Sequence, residues 1–372
     1  MCGMSVIMSD IFIDGIEANA SSHELSGKIK DVFLKASDNL SWLSPGDTVL
    51  LKPALNSFYP YPATTHPQSI LTIAEILAQK GANVFVGDQS GIEHVLVDKF
   101  GSHKKSSKWC FKKSGMGKEN NLKFIGFEEE GWKDGYFNYK NSSSTWKNGF
   151  YVTKWVQKAD HIINLPRLST HALTGVSLGF KNMVGLLRDD SRMNFHLNGT
   201  LVPIIKRFAK GAKFDLNHDH SHTFFEKITD IGMAIKDKLR VTLFTGTQAQ
   251  VTFGPDKHAI PIRKTGMFSA HVVTPDTGII FAGSDPVATE VLAIAFLSIL
   301  YSETPILKKQ IWKTFLLLNR SIKDLSKSDV WDNPFIKRAL HTGLGNGLIN
   351  PHYTAIPGKL KHQLNDLIQR KK

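Results

Sequence analysis

Apolar residues recur at helical spacing between Ser22 and Asn39, with Leu25, Ile29, Val32, Phe33 and Ala36 on one face. The next run, Thr48 to Lys52 in P-G-D-T-V-L-L-K-P, is short, continuous and closed by Pro53, which predicts a buried strand. The stretch A-T-T-H-P-Q-S-I-L-T-I-A-E-I-L-A-Q-K-G-A then predicts a helix. Thr65 or His66 stands at its cap, Pro67 in its first turn and Gly81 just past its end. Asn83 to Asp88 predicts the strand that follows. Strand, helix, strand in this order predicts a right-handed parallel unit. The fold class is therefore α/β, a mostly parallel sheet built from βαβ units.

Beyond Asp88 the pattern is less regular. Residues 89–121 are basic and read as loop-rich, Leu122 to Phe127 as a strand, and 128–149 as a polar, aromatic surface excursion. Tyr151 to Val156 and His161 to Leu165 predict strands. Residues 188–223 read as irregular, and a boundary between two lobes is allowed within 187–223. The box T-F-F-E, Thr223 to Glu226, predicts a helix start. Leu239 to Phe244 reads as a strand, Met267 to Ala282 as a hairpin turning at Pro275 to Gly278, and Pro286 to Tyr301 as a helix capped by Asp285. Helices follow at Thr304 to Leu318 and Pro334 to His341. G-L-G-N-G is expected to close the ordered part, a domain over residues 1–350, with a basic tail over 351–372.

Composition narrows the class. The 372 residues are 41% hydrophobic and 21% charged, ordinary for a globular protein with a sizeable core. Two cysteines, Cys2 and Cys110, exclude a disulfide framework and any iron–sulfur cluster held only by cysteines. The N-terminus lacks the pattern of a signal peptide, and the greasy run Val287 to Leu300 is too short to span a bilayer. No membrane is expected, and the location expected is the cytoplasm. The net charge is +13, part of it in Lys99 to Lys113 and part at the C-terminus. Nucleic acid is one partner such charge would fit; a solvated loop and a frayed end account for it more simply. The favoured partner is a small anionic molecule. The oligomeric state is left open.

The candidate chemistry centres on S-T-H-A-L-T-G-V-S-L-G-F-K-N-M-V-G, Ser169 to Gly185. On one straight helix His171 and Lys181 would lie about 80° apart around the axis and roughly 15 Å apart along it. Gly175, Gly179 and Gly185 argue against such a helix and for a glycine-rich loop running from the strand His161 to Leu165 into a short helix. Open α/β sheets bind ligands beyond the carboxyl ends of their strands. A tightly packed turn with a satisfied histidine and a snorkelling lysine is the alternative. Lys52, Asn164 and Arg167 also stand at strand ends, and Thr65 and His66 at a helix start, an anion-friendly place. Together with Asn182 they form the anion-binding set, and His171, Lys181 and His94 the catalytic set. Histidine exchanges protons near neutrality, and a buried lysine can link to a carbonyl. His218, His220 and His222 alternate in H-D-H-S-H, as a metal site or a polar loop would, and His196 is an isolated metal candidate.

The blocks L-L-K-P-A-L-N, A-T-T-H-P, V-G-D-Q-S-G, the stretch from Ala159 to Leu186, and A-G-S-D-P-V-A-T-E resemble the domain of unknown function family 362. That resemblance implies a fold more than a reaction. Many members also carry a ferredoxin-type cluster domain, for which this chain has too few cysteines. Ser169 stands where the family usually has lysine and Glu290 where it has aspartate, and V-T-L-F-T-G lacks the family's acid. A looser similarity is to the nickel-pincer lactate racemase family, through T-H-P at Thr65 to Pro67 and the His171-to-Lys181 block. It implies a nickel-containing pincer-type cofactor, or another divalent metal, with attachment at Lys181, metal at His196 and hydrogen exchange at His94 and His171. The resulting expectation is an enzyme acting on a small anionic metabolite, by isomerisation or racemisation. The competing expectation is a non-catalytic protein binding a metal, a cofactor or a nucleic acid.

Overall fold

A computed structural model of the chain describes residues 8–91, 95–98, 101–118, 122–196, 223–254, 269–318, 324–325 and 328–369. Of residues 95–98, 101–104, 118, 195, 196 and 318 only the backbone is described. Eight strands build the main sheet: β1 Ser9–Glu17, β2 Thr48–Pro53, β3 Asn83–Asp88, β4 Lys123–Gly126, β5 His161–Leu165, β6 Leu239–Gly246, β7 Thr277–Gly283 and β8 Ile349–Thr354. Their spatial order is β8-β1-β7-β6-β5-β2-β3-β4. Strands β4, β3, β2, β5 and β6 are mutually parallel. Strand β7 runs antiparallel to β6 and β1, and β8 runs parallel to β1. The fold is α/β with a mostly parallel sheet, as the strand–helix–strand pattern predicts.

Each face of the sheet carries its own apolar core, because successive strand residues point to opposite sides. Val49 and Leu51 of β2 pack with Ile29, Phe33, Ile70 and Leu77, from helices Ser22–Ala36 and Pro67–Gln79. Leu50 faces the other core, which holds the buried helix Pro286–Ser302. That helix is capped by Asp285 as expected, its carboxylate accepting from the N–H groups of Val287 and Ala288. Among the described residues no helix is long and apolar enough to cross a membrane.

Several expectations are corrected. Residues 277–283 are not half of a hairpin with 269–273; 267 and 268 lie outside the described residues. Ile279 to Ala282 are buried on both faces, so they occupy an interior place between β1 and β6. Val272–Val273 pairs instead with Ala249–Gln250. Thr223 makes no side-chain cap, and the helix it precedes, Phe224–Asp230, ends in the 3-10 turn Ile231–Ala234. The stretch 128–149 is no surface excursion: Tyr136, Trp146 and Phe150 are buried, and Tyr136–Tyr139 pairs with Phe150–Thr153. Residues 89–121 contain the helix Ser107–Ser114 and the short pair Val95–Asp98 and Gly101–Lys104.

Order does not end at G-L-G-N-G. The next residues form β8, and helix Gly358–Ile368 buries Leu364 and Ile368. Strand β8 carries Pro351 and is half exposed, which suits an edge strand. Strand β1, beside it, has no counterpart in the sequence expectations.

Candidate functional site

The chain runs β2, β3, β4 toward one edge of the sheet, then returns to place β5 on the other side of β2 and continues to β6. The order therefore reverses between β2 and β5, the crevice where open α/β sheets hold ligands. Loops leaving the carboxyl ends of β2, β3 and β5 meet there around a cavity of about 60 Å³. Its lining includes Asn56 after β2, Asp88 and Gln89 at the end of β3, Arg167 and His171 after β5, and Lys181, Asn182 and Arg192 beyond.

The Ser169–Gly185 segment is more ordered than a glycine-rich loop. Ser169–His171 and Gly175–Ser177 form a tight antiparallel pair, followed by the helical turn Gly179–Asn182 and the 3-10 turn Met183–Leu186. Asn182 fastens this turn to the sheet. Its amide donates to the Lys52 carbonyl at 3.0 Å and to Asn164 Oδ1 at 2.8 Å. Lys52 and Asn164 are register partners on β2 and β5, so one side chain spans the switch point.

Beneath the cavity lies a buried ion pair. Lys52 Nζ is 2.9 Å from Asp88 Oδ1 and donates to the Pro53 carbonyl at 2.7 Å. Asp88 also accepts from the N–H groups of Leu55 and Gln89, both at 2.8 Å. Burial pulls the Lys52 ammonium down from its ordinary value, with Asp88 opposing, and pushes the Asp88 carboxyl up, with Lys52 opposing. Gly185 is required here, since a Cβ on it would lie 1.8 Å from Asp88 Oδ1.

His171 is oriented by backbone. Its Nδ1 accepts from the N–H groups of Leu173 at 3.0 Å and Thr174 at 3.4 Å. With Nδ1 used as an acceptor, the proton of the neutral ring sits on Nε2. That nitrogen is then a donor and not a base. Arg167, fully buried, donates to Asn56 Oδ1. Arg192 ties the loop after β3 to the glycine segment, donating to the carbonyls of Gln89 at 2.6 Å, Ser90 at 3.0 Å and Val184 at 3.1 Å.

Of the sequence candidates, Arg167, His171, Lys181 and Asn182 line one cavity. Lys52 and Asn164 lie behind it. Thr65 and His66 are engaged elsewhere. The Thr65 hydroxyl accepts from Ala54 N–H at 2.7 Å and donates to the Leu165 carbonyl, stitching β2 to β5. His66 caps the helix Pro67–Gln79, with Nδ1 accepting from Gln68 N–H at 3.1 Å; burial lowers its pKa to about 4. Thr65→Val is expected to lose about 1–3 kcal/mol of stability, read from its urea-unfolding midpoint. His94, His218, His220 and His222 lie outside the described residues, and so does the side chain of His196. Among the described residues no three histidine, cysteine or acidic side chains are grouped to hold a metal. Asn56, Gln89, Ser177 and Arg192 also line the cavity, although the sequence does not single them out. The only sequence signal for Gln89 was its place after the strand end Gly87-Asp88.

A cavity of about 60 Å³ holds a handful of water-sized groups, each needing about 10–15 Å³. A compact anion matches that space. The cavity itself is smaller than a metal-bearing organic cofactor.

The family model described as "Domain of unknown function (DUF362)" matches residues 49–295, which hold every lining residue of the cavity. Thylakoid-associated protein sll1697 of Synechocystis sp. is 25% identical over 260 residues. The match covers 68% of this chain and 65% of that protein, less than two thirds of the relative's length. No solved structure matches the chain.

Proposed function

The chain belongs to the DUF362 family, and on that premise we propose that it is an enzyme acting on a compact organic anion in the cavity at the switch point. The observation that carries this reading is the convergence of Arg167, His171, Lys181 and Asn182 on one small cavity. Fastening the turn to the sheet accounts for Asn182, but it gives no reason to gather two cations and a histidine held as a donor around the same space. Arg167 supplies charge for a carboxylate. The His171 Nε2–H donates to an oxygen on the neighbouring carbon, where negative charge grows if that carbon loses a proton. Lys181 is the group assigned to exchange that proton, which makes the reaction an isomerisation or racemisation next to a carboxylate. In this reading His171 polarises the oxygen, where the racemase-family resemblance has it exchange the hydrogen.

The test is thermal-shift screening against 2-hydroxy and 2-oxo acids, followed by NMR of deuterium uptake from heavy water at the carbon beside the carboxylate. Arg167→Ala is expected to weaken binding about 10- to 100-fold, the loss of one charged hydrogen bond. Lys181→Ala is expected to abolish deuterium uptake, and His171→Gln, which keeps a donor, to retain binding where His171→Ala does not. Stabilisation by anions without deuterium uptake leaves a binding protein. No stabilisation by any compact anion defeats the proposal.

A further inference from the structure

A second cavity, of about 530 Å³, opens on the opposite side of the segment that carries Lys181 and Asn182. Phe180 and Met183 of that segment form one wall. Leu239, Pro286 and Leu344 complete the apolar part of the lining, Ser284, Asp285 and Asn346 belong to its polar part, and the exposed Lys236 also lines it. The volume lies within the range of small-molecule sites, about 300–1,000 Å³, and is several times that of the anion cavity.

The wall is preformed. The Asp285 carboxylate accepts from five donors: the N–H groups of Val287 at 2.7 Å, Ala288 at 3.0 Å, Asn346 at 2.8 Å and Gly347 at 3.3 Å, and the Ser9 hydroxyl at 3.0 Å. These bonds lock the glycine loop 343–347 to the start of helix Pro286–Ser302 and use up the carboxylate's lone pairs. Asp285 keeps its charge, but its oxygens are taken up by these donors and are not open to a ligand's own donors. Lys236 is different. It is exposed, its Nζ reaches to 4.0 Å from the position a Gly343 Cβ would occupy, and it has no ion-pair or hydrogen-bond partner among the described residues. One unpaired cation in the lining of a partly apolar cavity fits one kind of ligand.

We propose that this cavity binds an amphipathic organic anion, with its apolar body between Phe180, Met183 and Leu344 and its acidic group on Lys236. The ligand class differs from that of the first site: a ring or short alkyl body with a single carboxylate or sulfonate. The site stands whether or not the switch-point cavity is catalytic.

The probe is 8-anilinonaphthalene-1-sulfonate, titrated into the full chain and followed by fluorescence and by calorimetric stoichiometry. The expected result is one saturable site per chain. Lys236→Glu, an exposed substitution that leaves the core alone, is expected to weaken it at least tenfold. Leu344→Trp, which fills the cavity, is expected to remove it. A neutral naphthalene of the same body is expected to bind more weakly than the sulfonate, with Lys236→Glu having no effect on it. Binding that stays within twofold of wild type in Lys236→Glu, or that has no defined stoichiometry, overturns the proposal.

Discussion

Lys52→Met is expected to cost about 3–5 kcal/mol of folding stability, the usual loss when one partner of a buried ion pair is removed. Methionine follows the path of the lysine stem, so little is lost in packing. What is lost is the charge 2.9 Å from Asp88 in a place that water does not reach. Asp88 keeps its two backbone donors, from Leu55 and Gln89, but its negative charge is left without a counter-charge at that distance. Burial already pushes this carboxyl up from its ordinary value, and Lys52 is the largest influence holding it down. An acid raised in the folded state gives stability that is present below its unfolded pKa and lost as pH rises through the folded one. The defect in Lys52→Met should therefore deepen from acidic toward alkaline pH. Lys52→Met combined with Asp88→Asn removes both charges and should recover much of the loss. Urea-unfolding midpoints of the two single variants and the double variant measure this directly. A Lys52→Met protein within about 1 kcal/mol of wild type would mean that the pair does not form in solution.

That ion pair also marks the limit of what the sequence reveals. The strand Thr48 to Lys52 is legible because its apolar run is continuous and Pro53 closes it. Alternation then tells that Lys52 shares a face with Leu50, and hence that the lysine points inward. Its partner is not legible. Asp88 ends the next strand, 36 positions on, and only the parallel register of β2 and β3 brings the two together. The same applies to the cavity. Arg167, His171, Lys181 and Asn182 stand out as polar groups in an apolar, glycine-spotted stretch. Arg192 does not, because it belongs to a helix in a stretch that reads as irregular, and its bonds are to backbone carbonyls that carry no sequence signal. Thr65 and His66 mislead for the opposite reason. A helix start suits an anion, yet here the polar side chains satisfy the backbone themselves. Strand β8 is hidden by composition: I-N-P-H-Y-T has the proline and polar residues of a tail, and only its pairing with β1 makes it a strand.

Glu290→Gln is expected to flatten part of the pH dependence of folding. Glu290 lies on the buried helix Pro286–Ser302 directly under the turn that carries Lys181, and its side chain has no contact with solvent. One carboxyl oxygen accepts from Phe180 N–H at 3.3 Å, and the other has no hydrogen-bond partner among the described residues. The approach is close enough that a Cβ on Gly179 would lie 2.8 Å from this carboxyl. Burial raises its pKa from 4.5 to about 8, with the hydrogen bonds from the backbone of Phe180 and Gly179 opposing. In the unfolded chain the group ionises near its ordinary value. Between those two values the folded state holds a proton that the unfolded state has released, so stability falls as pH rises. The folding constants of wild type and Glu290→Gln should then diverge by up to about tenfold for each pH unit across that window, with an upper bound on the order of 5 kcal/mol. At the acid end the two proteins should match closely, since a protonated carboxyl and a carboxamide are near isosteres. At the alkaline end the glutamine variant should be the more stable. Parallel pH profiles for the two proteins would show that this carboxyl ionises as it would in water, and would remove the buried contact with Phe180. A diverging pair has a further consequence. Ionisation of Glu290 then places a charge directly beneath the Gly179–Asn182 turn, and ligand affinity at the switch-point cavity should weaken over the same pH range in wild type but not in Glu290→Gln.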